Sequence, residues 1–197
     1  MATTITLDAK DFFATADTHF WHDNIRRYSN RPYDSVERMN EELIKNWNNK
    51  VSPSSTVIHD GDFSFGNHTK TLSILNRLNG NIILVCGNHD EKHILKDNVL
   101  SKKFASIHDL LYISVNDNGN KQLISACHYA METWKNSHRG SWSIHGHSHN
   151  SLITGPNMKR HDVGVDGNNY TPLSYYELKA IMDKKIFKAV DHHGRNE

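Results

Sequence analysis

The sequence predicts an α/β protein, and three observations carry that prediction. Short apolar, β-prone runs alternate with stretches of helical periodicity along the chain. Most of those runs end abruptly in glycine or a polar loop. The length, 197 residues, suits a single domain over 1–197. Such a domain buries roughly 70% of its unfolded surface and needs no disulfide staples.

The elements follow in order. Residues 12–16 form the first strand-like run and lead into Asp17. The clearest helix spans about 35–48. Asp34 with Glu37 forms an N-cap and N3 pair, and Val36, Met39, Leu43, Ile44 and Trp47 fall on one core-facing stripe. Residues 56–59 lead into Asp60-Gly61-Asp62. A second helix over 70–78 buries Leu72, Leu75 and Leu78 and is stopped by Asn79-Gly80. Residues 82–86 lead into Gly87. The runs 110–115 and 121–126 flank a polar loop, 116–120, and signal a hairpin with more than a two-residue turn. Residues 141–145 lead into Gly146. Residues 160–165 and 185–190 read as late strands. Between them Ser174 and Glu177 form a capping box for a third helix, with Leu178, Ile181 and Met182 on its buried face. The tail, 191–197, is expected to be exposed and loosely ordered.

Composition narrows the function classes. The formal net charge of +1 provides no global pull toward nucleic acid or anionic membrane. Duplex DNA is therefore not an expected partner, and any anion recognition must be local. No apolar stretch approaches the ~20 residues of a membrane span. The N-terminus lacks a basic segment followed by an apolar one. A cytoplasmic, non-membrane protein is the expectation. Cys86 and Cys127 end apolar runs and read as small buried strand residues in a reducing compartment. The 15 histidines are the compositional outlier, and many of them fall in the motifs that carry the chemistry.

Those motifs are Asp17-Thr18-His19, Gly61-Asp62, Gly87-Asn88-His89-Asp90, His128 and Gly146-His147-Ser148-His149. Each lies where a β-prone run gives way to a loop. His147 and His149, two apart on extended backbone, point to the same side. The set holds enough oxygen and nitrogen ligands for two divalent metals, with one histidine left for proton transfer. Two adjacent metals are a known device for cleaving phosphate esters. Each motif alone has a bland reading as a turn, cap or loop group, but their joint occurrence in this order does not.

This ordered set, D-x-H, G-D, G-N-H-[DE], H and G-H-x-H, resembles the calcineurin-like metallophosphoesterases, and in particular their small bacterial and phage-type members. The motifs run from residue 17 to residue 149, and the flanking strands and helices suit the same fold. The resemblance implies a metallo-dependent phosphatase fold, a four-layer sandwich of two mixed β-sheets flanked by helices. It implies that Asp17, His19 and His149 bind one metal and that Asn88, His128 and His147 bind the other. Asp62 would bridge both metals, and His89 would stand beside the scissile phosphate as the catalytic histidine. His138 is the rival to His128, which is preferred because it ends a strand. Mixed nitrogen and oxygen ligation suits Mn²⁺ first, with Fe, Zn, Ni or Co as alternatives. The implied mechanism is direct attack by a hydroxide shared between the metals, about 3.5–4 Å apart.

One departure is informative. In the phosphoprotein phosphatases of this family the G-D motif continues into an Asp and an Arg. Here the run is Gly61-Asp62-Phe63-Ser64-Phe65-Gly66, which argues against that activity and leaves the partner of His89 open. Arg26, Arg27, Arg31 and Arg139, in two polar-aromatic segments at 20–31 and 129–139, are the candidates for gripping the phosphate. His59, Asp60, His145 and Asp166 are expected to be structural or to support ligands. The leading expectation is a dinuclear phosphodiesterase acting on a small phosphorylated or nucleotide-like substrate. A phosphomonoesterase acting on a phosphorylated metabolite or nucleotide is the alternative. A non-catalytic protein-binding scaffold and a nuclease for short single strands are further readings.

Overall fold

A computed structural model describes residues 3–153, 155 and 158–188. Two five-stranded mixed sheets form its centre. The strands are β1 (Thr3–Asp8), β2 (Phe12–Thr15), β3 (Thr56–His59), β4 (Asn81–Val85), β5 (Ser106–His108), β6 (Leu111–Asp117), β7 (Asn120–Ala126), β8 (Trp142–His145), β9 (Arg160–Asp162) and β10 (Leu173–Ser174). The helices are α1 (Ile25–Tyr28), α2 (Val36–Lys50), α3 (His68–Leu75) and α4 (Tyr175–Asp183). One sheet runs β10-β2-β3-β4-β5, and the other runs β1-β6-β7-β8-β9. In the first, β2, β3, β4 and β5 are parallel. In the second, β7, β8 and β9 are parallel.

Strand alternation sorts the apolar side chains into two cores. Phe12, Ala14, Ile58, Ile83 and Val85 face Leu111, Ile113, Ile124, Trp142 and Ile144 between the sheets, and Tyr175, Leu178 and Met182 of α4 join that core. Phe13, Val57, Ile82 and Leu84 point the other way, onto Met39, Leu43, Ile44 and Trp47 of α2 and Ile74 and Leu75 of α3. Helices thus cover the first sheet. On the second sheet Thr4, Thr6 and Leu123 remain exposed. Helical cover is fullest on one side because the apolar stripes of α2 and α3 both meet the β2–β4 face.

Several element boundaries differ from the sequence reading. Ser35, not Asp34, caps α2, because its side chain accepts the Arg38 N–H. Asn67 caps α3 through the Lys70 N–H, so that helix starts two residues early and buries Thr71, Ile74 and Leu75. The hairpin ladder continues to Asp117 opposite Asn120. Its loop is only Asn118 and Gly119, both in left-handed conformation at φ 52° and 91°, as a tight hairpin turn requires. The capping box of α4 is present with both its hydrogen bonds. Residues 185–188 form no strand. The rest of that expected strand and the 191–197 tail lie outside the described residues. Strands β1, β5 and β10 escaped the sequence reading because each is short or polar. Cys86 and Cys127 are free and half-buried, each one residue beyond its strand, so they are not the buried strand residues expected.

Candidate metal centre

Six loops at the carboxyl ends of parallel strands meet at one place: those after β2, β3 and β4 in one sheet and after β7, β8 and β9 in the other. Open α/β sheets place their ligands at such ends. Backbone hydrogen bonds stitch the loops together. Asp17 N–H donates to Gly61 O at 2.9 Å, His19 N–H to Asp62 O at 3.0 Å, and Gly146 N–H to His128 O at 3.1 Å. The buried Asp90 carboxylate accepts the Asp62, Phe63 and Gly87 amides at 2.8–3.0 Å. It thereby clamps the Gly61-Asp62 loop to the Gly87-Asn88-His89 loop. Contact there is close enough that a Cβ on Gly87 would fall 2.3 Å from Asp62 Oδ1.

The backbone at the ligands is unusual. Asp17, His19, Asp62, His147 and His149 all have positive φ, between 45° and 66°. Such conformations cost of order 1 kcal/mol or more each outside glycine and concentrate at functional sites. His147 and His149 are therefore not on the extended backbone expected of them. They turn toward different neighbours: His147 Nδ1 lies 3.0 Å from Asn88 Oδ1, and His149 Nδ1 lies 2.7 Å from Asp166 Oδ2.

The donor atoms converge. Asp17, His19 and His149 each offer an atom within 4.8 Å of the others, as do Asp17, Asp62 and His128. His19 Nε2 is 3.5 Å from Asp62 Oδ2, and His128 Nε2 is 3.8 Å from the same oxygen. Both Asp17 carboxylate oxygens and His19 Nε2 are buried with no hydrogen-bond partner. His128 Nδ1 donates to Asp60 O at 2.7 Å. That bond leaves Nε2 as a lone pair, yet it sits 3.1 Å from Asn88 Oδ1, another acceptor. Two acceptors this close suit a shared cation better than a hydrogen bond. Burial, aided by the nearby Asp162, Asp62 and Asp166 carboxylates, pushes the Asp17 carboxyl well above its ordinary range, and burial pushes the His19 imidazole well below its own. Without a cation the site is therefore costly as charge, and with one its donors are satisfied. The donor set fits a divalent metal of mixed nitrogen and oxygen preference.

The supporting residues come from far along the chain. Asp166 holds His149 by Nδ1 and takes both Nε and Nη2 of Arg31, at 2.7 and 2.8 Å. Burial alone would raise this carboxyl, but the hydrogen bonds from His149 and Arg31 hold it below the ordinary carboxylate range. Arg31 also donates to the carbonyls of Asp17 and Thr18. His59 is fully buried and bonds Thr18 Oγ1 at 2.9 Å.

The structure places the four candidate arginines differently. Arg31 is buried and fully engaged, and it braces the loop after β2. Arg26 is held by Asp23 and the Tyr33 carbonyl. Arg139 precedes β8 at its start, whereas the centre lies beyond the end of that strand, roughly 10 Å away along it. The 129–139 segment begins beside His128 and ends before the start of β8. Arg27, with its side chain 74% exposed, stays near Asp23 and Asn24. His138, the rival to His128, lies in the same turn as Arg139.

His89 is half-exposed, with Nε2 3.9 Å from Asp62 Oδ2. The group packed against it is Phe65, with ring centroids 4.6 Å apart. Phe65 also stacks on His22 at 4.0 Å. Two recesses flank the π-helical turn Glu91–Leu95 that follows His89. One, of about 430 Å³, opens beside Asn88 and His128 and is lined by Cys86, Cys127, Asp109 and Tyr129. The other, of about 480 Å³, is lined by His68, Lys92, His93 and Lys96. Burial pushes the Cys86 thiol up to about 12 and raises that of Cys127. The local sequence held little signal for His22 or Phe65. Asp90 stood inside a motif without an assigned role.

Comparison with known proteins sets this geometry in context. No family model matches the chain. The chain is 31% identical over 193 residues to the uncharacterized protein MJ1445 of Methanocaldococcus jannaschii, covering 94% of this chain and 99% of that one. Among solved structures, the protein of unknown function AQ665 from Aquifex aeolicus is 24% identical and superposes with a TM-score of 0.62, over 86% of this chain and 98% of that one. The two share a fold. A novel archaeal phosphodiesterase, 21% identical, reaches a TM-score of 0.45 over 78% of this chain and 81% of its own, a superposition too loose to establish a common fold.

Proposed function

This chain belongs to the same family as the uncharacterized protein MJ1445 of Methanocaldococcus jannaschii, and we propose that it is a phosphoester hydrolase dependent on two divalent metals, with a phosphodiester as preferred substrate. The observation that carries the reading is the buried, unpartnered donor set of Asp17 and His19 beside the lone pairs of His128 and Asn88. Asp17, His19 and His149 would hold one cation, Asn88, His128 and His147 would hold the other, and Asp62 would be available to both. Divalent cations bound there, Mn²⁺ foremost, would supply Lewis acidity toward water and toward the phosphoryl oxygens.

The remaining work falls to the chain's own residues. Asp60 O and Asp166 fix the Nδ1 protons of His128 and His149, which leaves each Nε2 free to ligate. His89, outside the donor set and at the mouth, donates a proton to the leaving oxygen. Phe65 covers one flank of His89 and excludes water from it. The recesses on either side of the turn after His89 give a diester room for both of its organic groups. Retention of His89 with a full ligand set weighs against a non-catalytic scaffold.

The test is hydrolysis of a chromogenic phosphate diester against the matching monoester, on metal-stripped protein reloaded with Mn²⁺. Faster turnover of the diester supports the proposal. Preference for the monoester converts it to a phosphomonoesterase, and turnover of neither overturns it for both probes.

A further inference from the structure

We propose that His22 is a positioning residue that sets the tautomer of His19 for metal binding, an inference that rests on the metal-dependent reading above. His19 Nδ1 and His22 Nδ1 are 3.1 Å apart. One hydrogen bond fits between them, and it can run in either direction. The other nitrogen of His19, Nε2, is buried, unpartnered and aimed between Asp17 and Asp62, at 3.9 and 3.5 Å. A nitrogen that ligates a cation must present a lone pair, so the His19 proton must sit on Nδ1.

His19 Nδ1–H then donates to His22 Nδ1, and the proton of a neutral His22 must sit on its Nε2. With the bond reversed, His19 carries its proton on Nε2, pointing at the carboxylates, and cannot ligate. The direction of this bond thus separates a binding from a non-binding form of His19, by tautomer and not by charge, and His22 supplies the acceptor that the binding form needs.

The ring of His22 is held for this task. It stacks on Phe65 at 4.0 Å and lies edge-on to Tyr28 at 6.3 Å. Phe65 in turn packs on His89 at 4.6 Å. Phe65 therefore packs on both His22 and His89 at once.

Three variants separate the hydrogen bond from the bulk of the ring. His22→Asn keeps an acceptor oxygen near the place of Nδ1. His22→Gln carries its amide farther out, and His22→Ala removes the group. The readout is Mn²⁺ binding to metal-stripped protein by calorimetry, with melting temperature as the folding control. Wild type should show two binding events. One of them should weaken by about 10–100-fold in the Ala and Gln variants, the usual range for lost support of a ligand, and should recover in the Asn variant. On Zn²⁺ loading, imidazole nitrogen NMR of wild type should place the His22 proton on Nε2. Unchanged affinity in folded Ala or Gln variants would overturn the inference. Equal losses in Asn and Gln would overturn it too, because the ring and not the acceptor would then matter. Absence of metal uptake by wild type would overturn the metal-dependent reading itself, and this inference with it.

Discussion

Asp62 and Arg31 show how unlike the roles of two charged residues in one centre can be. Asp62 lies within 3.9 Å of His19, His89 and His128, and its Oδ1 accepts the His89 amide at 3.0 Å. Asp62→Asn keeps that oxygen acceptor but loses the charge that the two proposed cations would share. Turnover of the chromogenic diester should fall by at least about a thousandfold, roughly 4 kcal/mol of barrier, while the melting temperature of the metal-free protein stays close to wild type. Arg31 has the opposite profile. Its side chain is wholly buried and joins Asp166 to the carbonyls of Asp17 and Thr18. Arg31→Ala strands a buried carboxylate and should cost about 3–5 kcal/mol of stability in urea unfolding. Lysine should not restore it, since a single ammonium cannot reproduce the forked contact. Arg27→Ala and Arg139→Ala, at exposed sites, should change stability by less than about 0.5 kcal/mol.

Elements act here through their ends. Strands β2, β3 and β4 are short, and each exits into a tight turn that places a donor at positive φ or against a glycine. The exit of β3 also carries a buried histidine. Burial pushes the His59 imidazole down to about 3, below the ordinary 6.5. The unfolded chain takes up a proton as pH falls below about 6.5, whereas the folded chain resists until near 3. The stability contributed by neutral His59 is therefore complete above 6.5 and is lost progressively as pH falls toward 3. Asp17, Asp60 and Asp90, all raised by burial, act in the opposite sense, so the His59 contribution is read by difference. In chelator, the stability lost between pH 7 and pH 5 should be about 2 kcal/mol smaller for His59→Gln than for wild type. An equal loss in both, by urea unfolding, would show that His59 is already charged in the fold.

At the scale of the whole molecule, two sheets are joined at one edge by the centre itself. Donors from β2, β3 and β4 belong to one sheet, and donors from β7 and β8 belong to the other. A cation held there would bind the folded chain and not the unfolded one. Mn²⁺ at a hundred times its dissociation constant should stabilise by about 2.7 kcal/mol per site. Thermal unfolding should show a lower melting temperature in chelator that is restored by Mn²⁺ and unaffected by K⁺. Among the described residues no helix is long and apolar enough to cross a membrane.

The sequence by itself determined which residues carry candidate donor groups and that these follow strands. Those are local facts: residue type, spacing, and the change from a β-prone run to a turn. The stripe of α2 and the capping box of α4 were legible for the same reason, since their partners lie within three or four residues. Only the tertiary structure decided the fate of the arginines, because Arg31 meets Asp166 across 135 positions. It decided too that Phe65 packs on His89, that Asp90 clamps two loops, and that two histidine nitrogens and an aspartate are left with lone pairs facing one another. Motifs report what a residue can do chemically. Which atoms remain unpartnered is settled only when distant segments have used up the rest.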